Sequence, residues 1–125
     1  MTSKRESLPP ALTRLLEALE DPDPMRRFRA AEGLGRLRDP GAVDGLIRTL
    51  DDPDWRVRVK AAWALGTIGE MRAYRPLERH IQDPVDSVHE MVRESLDHIR
   101  AGGGDGGEKR QLMQPDREIG ADTNH

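Results

Sequence analysis

The sequence predicts an all-α fold, an α-α superhelix of about six helices, and three observations predict it. Asp21-Pro22-Asp23 recurs as Asp52-Pro53-Asp54, and Asp83-Pro84 follows, each copy 31 residues after the last. The same shift carries Ala30-Ala31 onto Ala61-Ala62, Leu34-Gly35 onto Leu65-Gly66, Leu37 onto Ile68 and Ile99, and Leu46 onto Leu77. Within each period the apolar residues follow helical spacing: Val57, Ala61, Ala64, Leu65 and Ile68 share one helix face. No stretch sustains the period-2 alternation of a strand. A repeat of this length is a single helical pair that buries its apolar side only against a neighbour.

Helices are expected at about 9–19, 24–37, 42–50, 55–68, 73–81 and 86–100. Leu12, Leu15, Leu16 and Leu19 give the first its apolar stripe. Asp23 before Pro24 opens the second, as an N-cap followed by proline at the first helical position. The turn Asp39-Pro40-Gly41 introduces the third, which carries Val43, Leu46, Ile47 and Leu50. Asp54 can cap the fourth as Asp23 caps the second. Leu77 and Ile81 repeat the pattern in the fifth, and Val88, Val92, Leu96 and Ile99 in the sixth. Gly35 and Gly66 stand near the ends of the longer helices. The chain thus divides into a flexible N-terminus (1–8), a repeat domain (9–100) and a disordered Gly-rich C-terminal tail (101–125).

Composition narrows the function. With 34% charged and 35% hydrophobic residues, each helix can keep one face in water. The aromatic residues are Phe28, Trp55, Trp63 and Tyr74, so the core must consist mostly of Leu, Ile, Val and Ala. The chain has no cysteine, which removes disulfides, thiolate metal sites and cysteine nucleophiles. A formal net charge of -3 opposes general affinity for nucleic acid, which rests on phosphate neutralisation. No run approaches the ~18 apolar residues of a membrane helix, and Met1 to Ser7 carry no apolar stretch of a signal peptide. A cytoplasmic protein, with neither membrane nor nucleic acid as partner, is expected.

The stretch Asp52-Pro53-Asp54-Trp55-Arg56-Val57-Arg58 through Ala61-Ala62-Trp63-Ala64-Leu65-Gly66 resembles the HEAT-like repeat first described in phycobiliprotein lyases. The copy from Asp21 resembles it nearly as well, and the third copy replaces the small residues with Arg93, Glu94 and Ser95. The resemblance implies a right-handed stack with the longer helices on the convex side and the shorter ones lining a concave surface. It also implies that Arg27, Arg58 and His89, one repeat apart, form a ladder with aspartates at helix starts, the candidates being Asp21, Asp23, Asp52 and Asp54. The alternative is a basic groove widened by Arg26, Arg29, Arg56 and Lys60, in which Arg29 and Lys60 are the exposed members. Members of this family mostly bind proteins; some are enzymes or enzyme subunits, including bilin lyases and deoxyhypusine hydroxylase.

Catalytic signals are weak. His89-Glu90 matches one His-Glu pair of the di-iron hydroxylase, but its equivalents are Arg27-Phe28 and Arg58-Val59, and such a site needs ligands converging from several helices. Ser3, Ser7, Ser87 and Ser95 lack the sharp glycine-flanked turn of a nucleophile. The Gly102 run follows a helix instead of opening one, so it is no phosphate loop. No catalytic residue, metal or cofactor is expected.

The expected function is a protein-interaction scaffold that binds a protein or peptide through its concave face, and the alternative is an enzyme or accessory subunit. The short helices should present Thr13, Arg14 and Glu17, then Asp44 and Arg48, then Arg75, Glu78 and Arg79. Of these, Arg48, Arg75 and Arg79 are the preferred contacts. Trp63 stands where the flanking repeats have Glu32 and Glu94, so it either joins Phe28 and Val59 in an exposed patch or fills the seam between long helices. Trp55 is expected in inter-repeat packing and Tyr74 in the core. The polar set Glu90, Arg93 and Glu94 caps the last helix, which favours a monomer or weak homodimer.

Overall fold

The computed structural model describes residues 8–102. Its helices are α1 (Pro10–Ala18), α2 (Pro24–Leu37), α3 (Val43–Thr49), α4 (Trp55–Ile68), α5 (Tyr74–Glu78) and α6 (Asp86–Arg100). Single 3-10 turns at Pro40–Ala42 and Met71–Ala73 lead into α3 and α5. Among the described residues there is no strand, and no helix is long and apolar enough to cross a membrane. Apart from Leu8, Ala101 and Gly102, the expected N-terminal segment and C-terminal tail lie outside the described residues.

Local chemistry starts the long helices as expected. Asp23 accepts a hydrogen bond from Met25 N at 3.0 Å with Pro24 in the first turn, and Asp54 accepts one from Arg56 N at 2.9 Å. Each cap is worth about 1 kcal/mol. Gly35 and Gly66 stand near the helix ends as expected, but other residues close the helices. Arg38 (φ 55°) and Gly69 (φ 81°) supply the left-handed residue that closes α2 and α4, while Gly35 and Gly66 lie inside the helices. α5 also ends sooner than its apolar pattern suggests. Pro76 lies inside it, the His80 ring sits 3.0 Å from the Pro76 carbonyl, and the His80 and Ile81 amides reach back only three residues, to Leu77 and Glu78. The last turn is thereby tightened.

α1, α3 and α5 form one layer and α2, α4 and α6 the other, each short helix packed on the long helix that follows it. Leu12, Leu34, Leu46, Leu65, Leu77, Val57, Val88 and Val92 fill the space between the layers and are fully or almost fully buried. The two layers are spaced differently. α2 packs closely on α4 and α4 on α6, whereas the short helices touch one another sparsely.

Small residues explain the tight layer. A methyl group added at Gly66 would stand 2.5 Å from Ser95 Oγ and 2.9 Å from Ser95 Cα, so the two backbones are nearly in contact. Ser95 is buried and donates to the Ala62 carbonyl at 2.6 Å, which satisfies its hydroxyl inside the seam. At Gly35 the added methyl group would meet Trp63 Cζ3 at 2.4 Å and Ala64 Cβ at 3.0 Å. These glycines serve helix approach, not helix termination.

A ladder of ion pairs ties the repeats together. Arg27 donates through Nε to Asp52 Oδ2 at 2.7 Å and through Nη2 to Oδ1 at 3.1 Å, and its Nη1 reaches the carbonyls of Asp21 and Pro22. One repeat on, Arg58 donates to Asp83 at 2.9 and 3.2 Å and to the carbonyls of Asp52 and Pro53. Each arginine thus holds its own loop and the carboxylate of the next. The acceptors are Asp52 and Asp83; of the expected candidates Asp23 and Asp54 are helix caps, and Asp21 accepts the Asp23 amide in its own turn. Asp52 and Asp83 make the same turn bond, to Asp54 N and Val85 N. At the third position His89 turns its ring to the Ile81 carbonyl. The arginine side chains are 14% exposed and the carboxylates 7% and 6%, burial deep enough for the pairs to matter structurally.

Burial pushes the Asp83 carboxyl up, but the Arg58 hydrogen bond, the Val85 amide and the charges of Arg58 and His80 outweigh it and hold it below its ordinary 3.8. The hydrogen bond to Asp52 likewise raises Arg27 above its ordinary value, against the opposing effect of burial. A carboxyl whose folded pKa is depressed adds stability that is present above its unfolded value and is lost as pH falls through the folded one. Acidification below about pH 4 is therefore expected to lower the melting temperature. Asp83→Asn should cost about 3 kcal/mol at pH 7 and flatten the acid limb of the stability curve, both measured by thermal melts across pH. Gly66→Ala provides a test of sign. Helix propensity alone would stabilise by about 1 kcal/mol, whereas the clash with the Ser95 backbone should destabilise by about 2 kcal/mol, read from the urea midpoint.

Candidate protein-interaction site

The long helices form the more tightly packed inner layer, because Gly35, Gly66 and the small residues beside them let α2, α4 and α6 approach. The short helices form the outer layer, and Arg14, Asp44, Arg48, Arg75, Glu78 and Arg79, the residues expected to contact a partner, belong to it. These six residues are exposed on the outer layer.

Trp63 lies at the centre of the inner face. Its ring covers Gly35 on α2, and its side chain is half-buried. Lys60 Nζ sits 5.1 Å from the centre of the Phe28 ring and 5.0 Å from that of Trp63, with Glu32 at 4.0 Å. Phe28, Val59 and Trp63 are thus neither fully exposed nor sealed; the aromatic pair fills the α2–α4 seam and keeps one edge in solvent. Lys60, expected as a free surface cation, is 23% exposed and engaged with both rings, a contact worth about 0.5–1 kcal/mol.

The next seam is open where this one is filled. One period after Trp63 stands Glu94. A cleft of about 220 Å³ remains between α4 and α6, lined by Trp63, Gly66, Thr67, Met91, Glu94, Ser95 and His98. Thr67, Met91 and His98 carried no signal in the sequence, since nothing in their own spacing marks them. The exchange of Trp63 for Glu94 at one register position was the available clue. Further along the chain's own helices, Trp55 is 43% exposed and Met25 37%, so Trp55 does not serve the inter-repeat packing expected of it.

No basic groove forms on this face. Arg56 pairs with Asp54 at 2.7 Å, and Arg26 lies 3.8 Å from both Asp21 and Asp23. The hydrogen bond from the Arg56 side chain, aided by the Arg56 and Val57 amides against the effect of burial, holds the Asp54 carboxyl at about 2. That pair stays ionised at any physiological pH. Arg29 remains exposed.

The outer layer has a different character. Asp44 accepts from Arg72 Nη1 at 2.9 Å, and Arg72 Nη2 donates to the Pro40 carbonyl at 2.9 Å. Arg14, Arg48, Arg75 and Arg79 form no ion pair among the described residues. Arg48 borders a cleft of about 500 Å³ between α1 and α3, together with Leu8, Leu16, Glu17, Glu20, Asp44 and Gly45. The His89 ring is engaged by the Ile81 carbonyl and lies 3.5 Å from Arg93, and Glu90 is exposed beside it. Among the described residues no group of three or more His, Asp or Glu side chains is arranged to hold a metal ion.

Comparison with known proteins agrees with this geometry. A family model of HEAT repeats matches residues 12–97, which spans α1 through most of α6. No curated protein matches the chain. The periodic Asp-Pro turns, the two-layer helix stack and a match over most of its length lead to one assignment: this chain belongs to the HEAT-repeat family.

Proposed function

We propose that the chain is a cytoplasmic scaffold that holds a partner protein against the inner face of its long helices, with Trp63 as the anchor. The observation that carries this reading is the cleft beside Trp63, where the indole edge, Met91 and Thr67 meet between two long helices. Tryptophan and methionine are over-represented at the centres of protein interfaces, because they bring large contact area at small cost in side-chain freedom. The ring of Trp63 is already immobilised by Gly35 and Lys60, so little order would be lost on binding. Glu94 and His98 at the rim add polar groups that can set orientation. HEAT-repeat membership supports the same reading, since these repeats commonly serve as protein-interaction scaffolds.

The test is quantitative recovery of partner from the native host after crosslinking, with variants of the tagged full-length chain as bait. Trp63→Ala should lower recovery about tenfold or more, and Met91→Glu, which places a charge in the same cleft, should act in the same direction. Arg75→Glu with Arg79→Glu should leave recovery unchanged. The reverse pattern, loss with the arginine reversals and retention with Trp63→Ala, would move the interface to the short helices.

A further inference from the structure

The outer layer contains two junctions between short helices that are one period apart, and they are built differently. At the α3–α5 junction the gap is bridged. Arg72 spans it, bonded to Asp44 and the Pro40 carbonyl at 2.9 Å each, and His80 reaches Asp51 at 2.8 Å. Pro76 on α5 supplies further bulk. One period earlier every bridging group is missing. Gly41 stands in place of Arg72, Gly45 in place of Pro76, and Thr49 in place of His80. The acceptor side persists in part: Glu20 occupies the position of Asp51 and the Pro9 carbonyl that of Pro40, while Thr13 stands in place of Asp44 and Glu17 supplies a carboxylate one turn further on.

The result is the cleft of about 500 Å³ between α1 and α3. Leu8 and Leu16 give it an apolar lining, and Glu17, Glu20 and Asp44 line it as well. Glu17 and Glu20 form no ion pair among the described residues. Asp44 is already paired with Arg72, and Arg48 is the cation lining the same cleft, so two unpaired carboxylates, Glu17 and Glu20, face one guanidinium group. An apolar lining with unneutralised carboxylates fits a long cationic side chain, whose methylenes lie on the leucines while its head meets the acids. Of the two cations available to a protein, arginine matches better. The neighbouring junction uses arginine for this purpose, and the planar fork can serve a carboxylate and a carbonyl together, as Arg72 does.

We propose that the α1–α3 cleft binds an arginine side chain of a partner protein, which completes the junction as Arg72 completes the next one. The site lies on the opposite layer from the Trp63 face and does not depend on it.

The probe is N-acetyl-arginine methylamide, titrated into the full chain and followed by backbone amide NMR shifts, with the uncharged citrulline analogue as control. Shifts should cluster at residues 13–20 and 41–48, with arginine binding about fivefold more tightly than citrulline. Glu17→Gln with Glu20→Gln, both at exposed positions, should erase that preference. Arg48→Gln should strengthen binding by removing the repelling charge. Gly41→Arg should abolish it by giving the chain its own bridge; a side chain there meets only the flexible ends of Leu12 and Asp39, at 3.0 and 3.2 Å. Equal binding of arginine and citrulline, shifts scattered over the surface, or undiminished binding by the carboxylate double variant would each overturn the assignment. Because Trp63 is untouched by these variants, loss of one site is distinguishable from loss of the other.

Discussion

At Gly66 the backbones of α4 and α6 approach until only a hydrogen atom fits between them, and Gly35 does the same for α2 and α4 with the Trp63 ring. Most of the molecule's form depends on this approach. It sets the long helices closer to one another than the short ones are. It also brings each inter-repeat loop near enough to its successor for Arg27 to reach Asp52 and Arg58 to reach Asp83. The ion pairs in turn fix the relative height of the repeats, since a bidentate fork tolerates little sliding. Packing supplies proximity and the ladder supplies register.

Function in such a molecule comes from the places where one repeat departs from another. A perfect repeat would present the same seam each time. Here Trp63 plugs one long-helix seam, and Glu94 leaves the next with a cleft. Arg72 and His80 bridge one short-helix junction, and Gly41 and Thr49 leave the other open. The ladder breaks its own pattern at His89, which turns to the Ile81 carbonyl in place of a following carboxylate. Some departures fall on exposed positions such as Glu94, where substitution costs little stability, and others, such as Thr49, are buried. The position of Leu34, Leu65 and Leu96 keeps its apolar type in all three copies, because it must fill the same space.

Surface charge shows the same division of labour. On the long-helix layer several cations are occupied, Arg56 with Asp54, Lys60 with the Phe28 and Trp63 rings, and Arg26 near Asp21 and Asp23, while Arg29 stays exposed. On the outer layer Arg14, Arg48, Arg75 and Arg79 hold no ion pairs among the described residues. Counting basic residues along the chain therefore misjudges which face is electropositive. The pairing depends on which acids the fold brings within reach.

The sequence by itself determined the six helices, their order and the positions of Asp23 and Asp54 as caps. These follow from local chemistry: the spacing of apolar residues, the hydrogen-bonding of a short acid before a helix, and the fixed dihedral of proline. It also carried the period, and the period determined which residues are equivalent. What only the tertiary structure decided is everything that depends on distances between helices. The sequence places Gly35 and Gly66 near helix ends, but their role in close approach is one that no single helix can reveal. The ladder acceptor for Arg58 proved to be Asp83, on a loop 25 residues away in the chain. Which layer packs tightly, the one with Trp63 or the one with Arg48, follows from a comparison of two interhelical spacings. Those spacings are properties of packed pairs, set jointly by side chains in different repeats, and a one-dimensional pattern does not contain them.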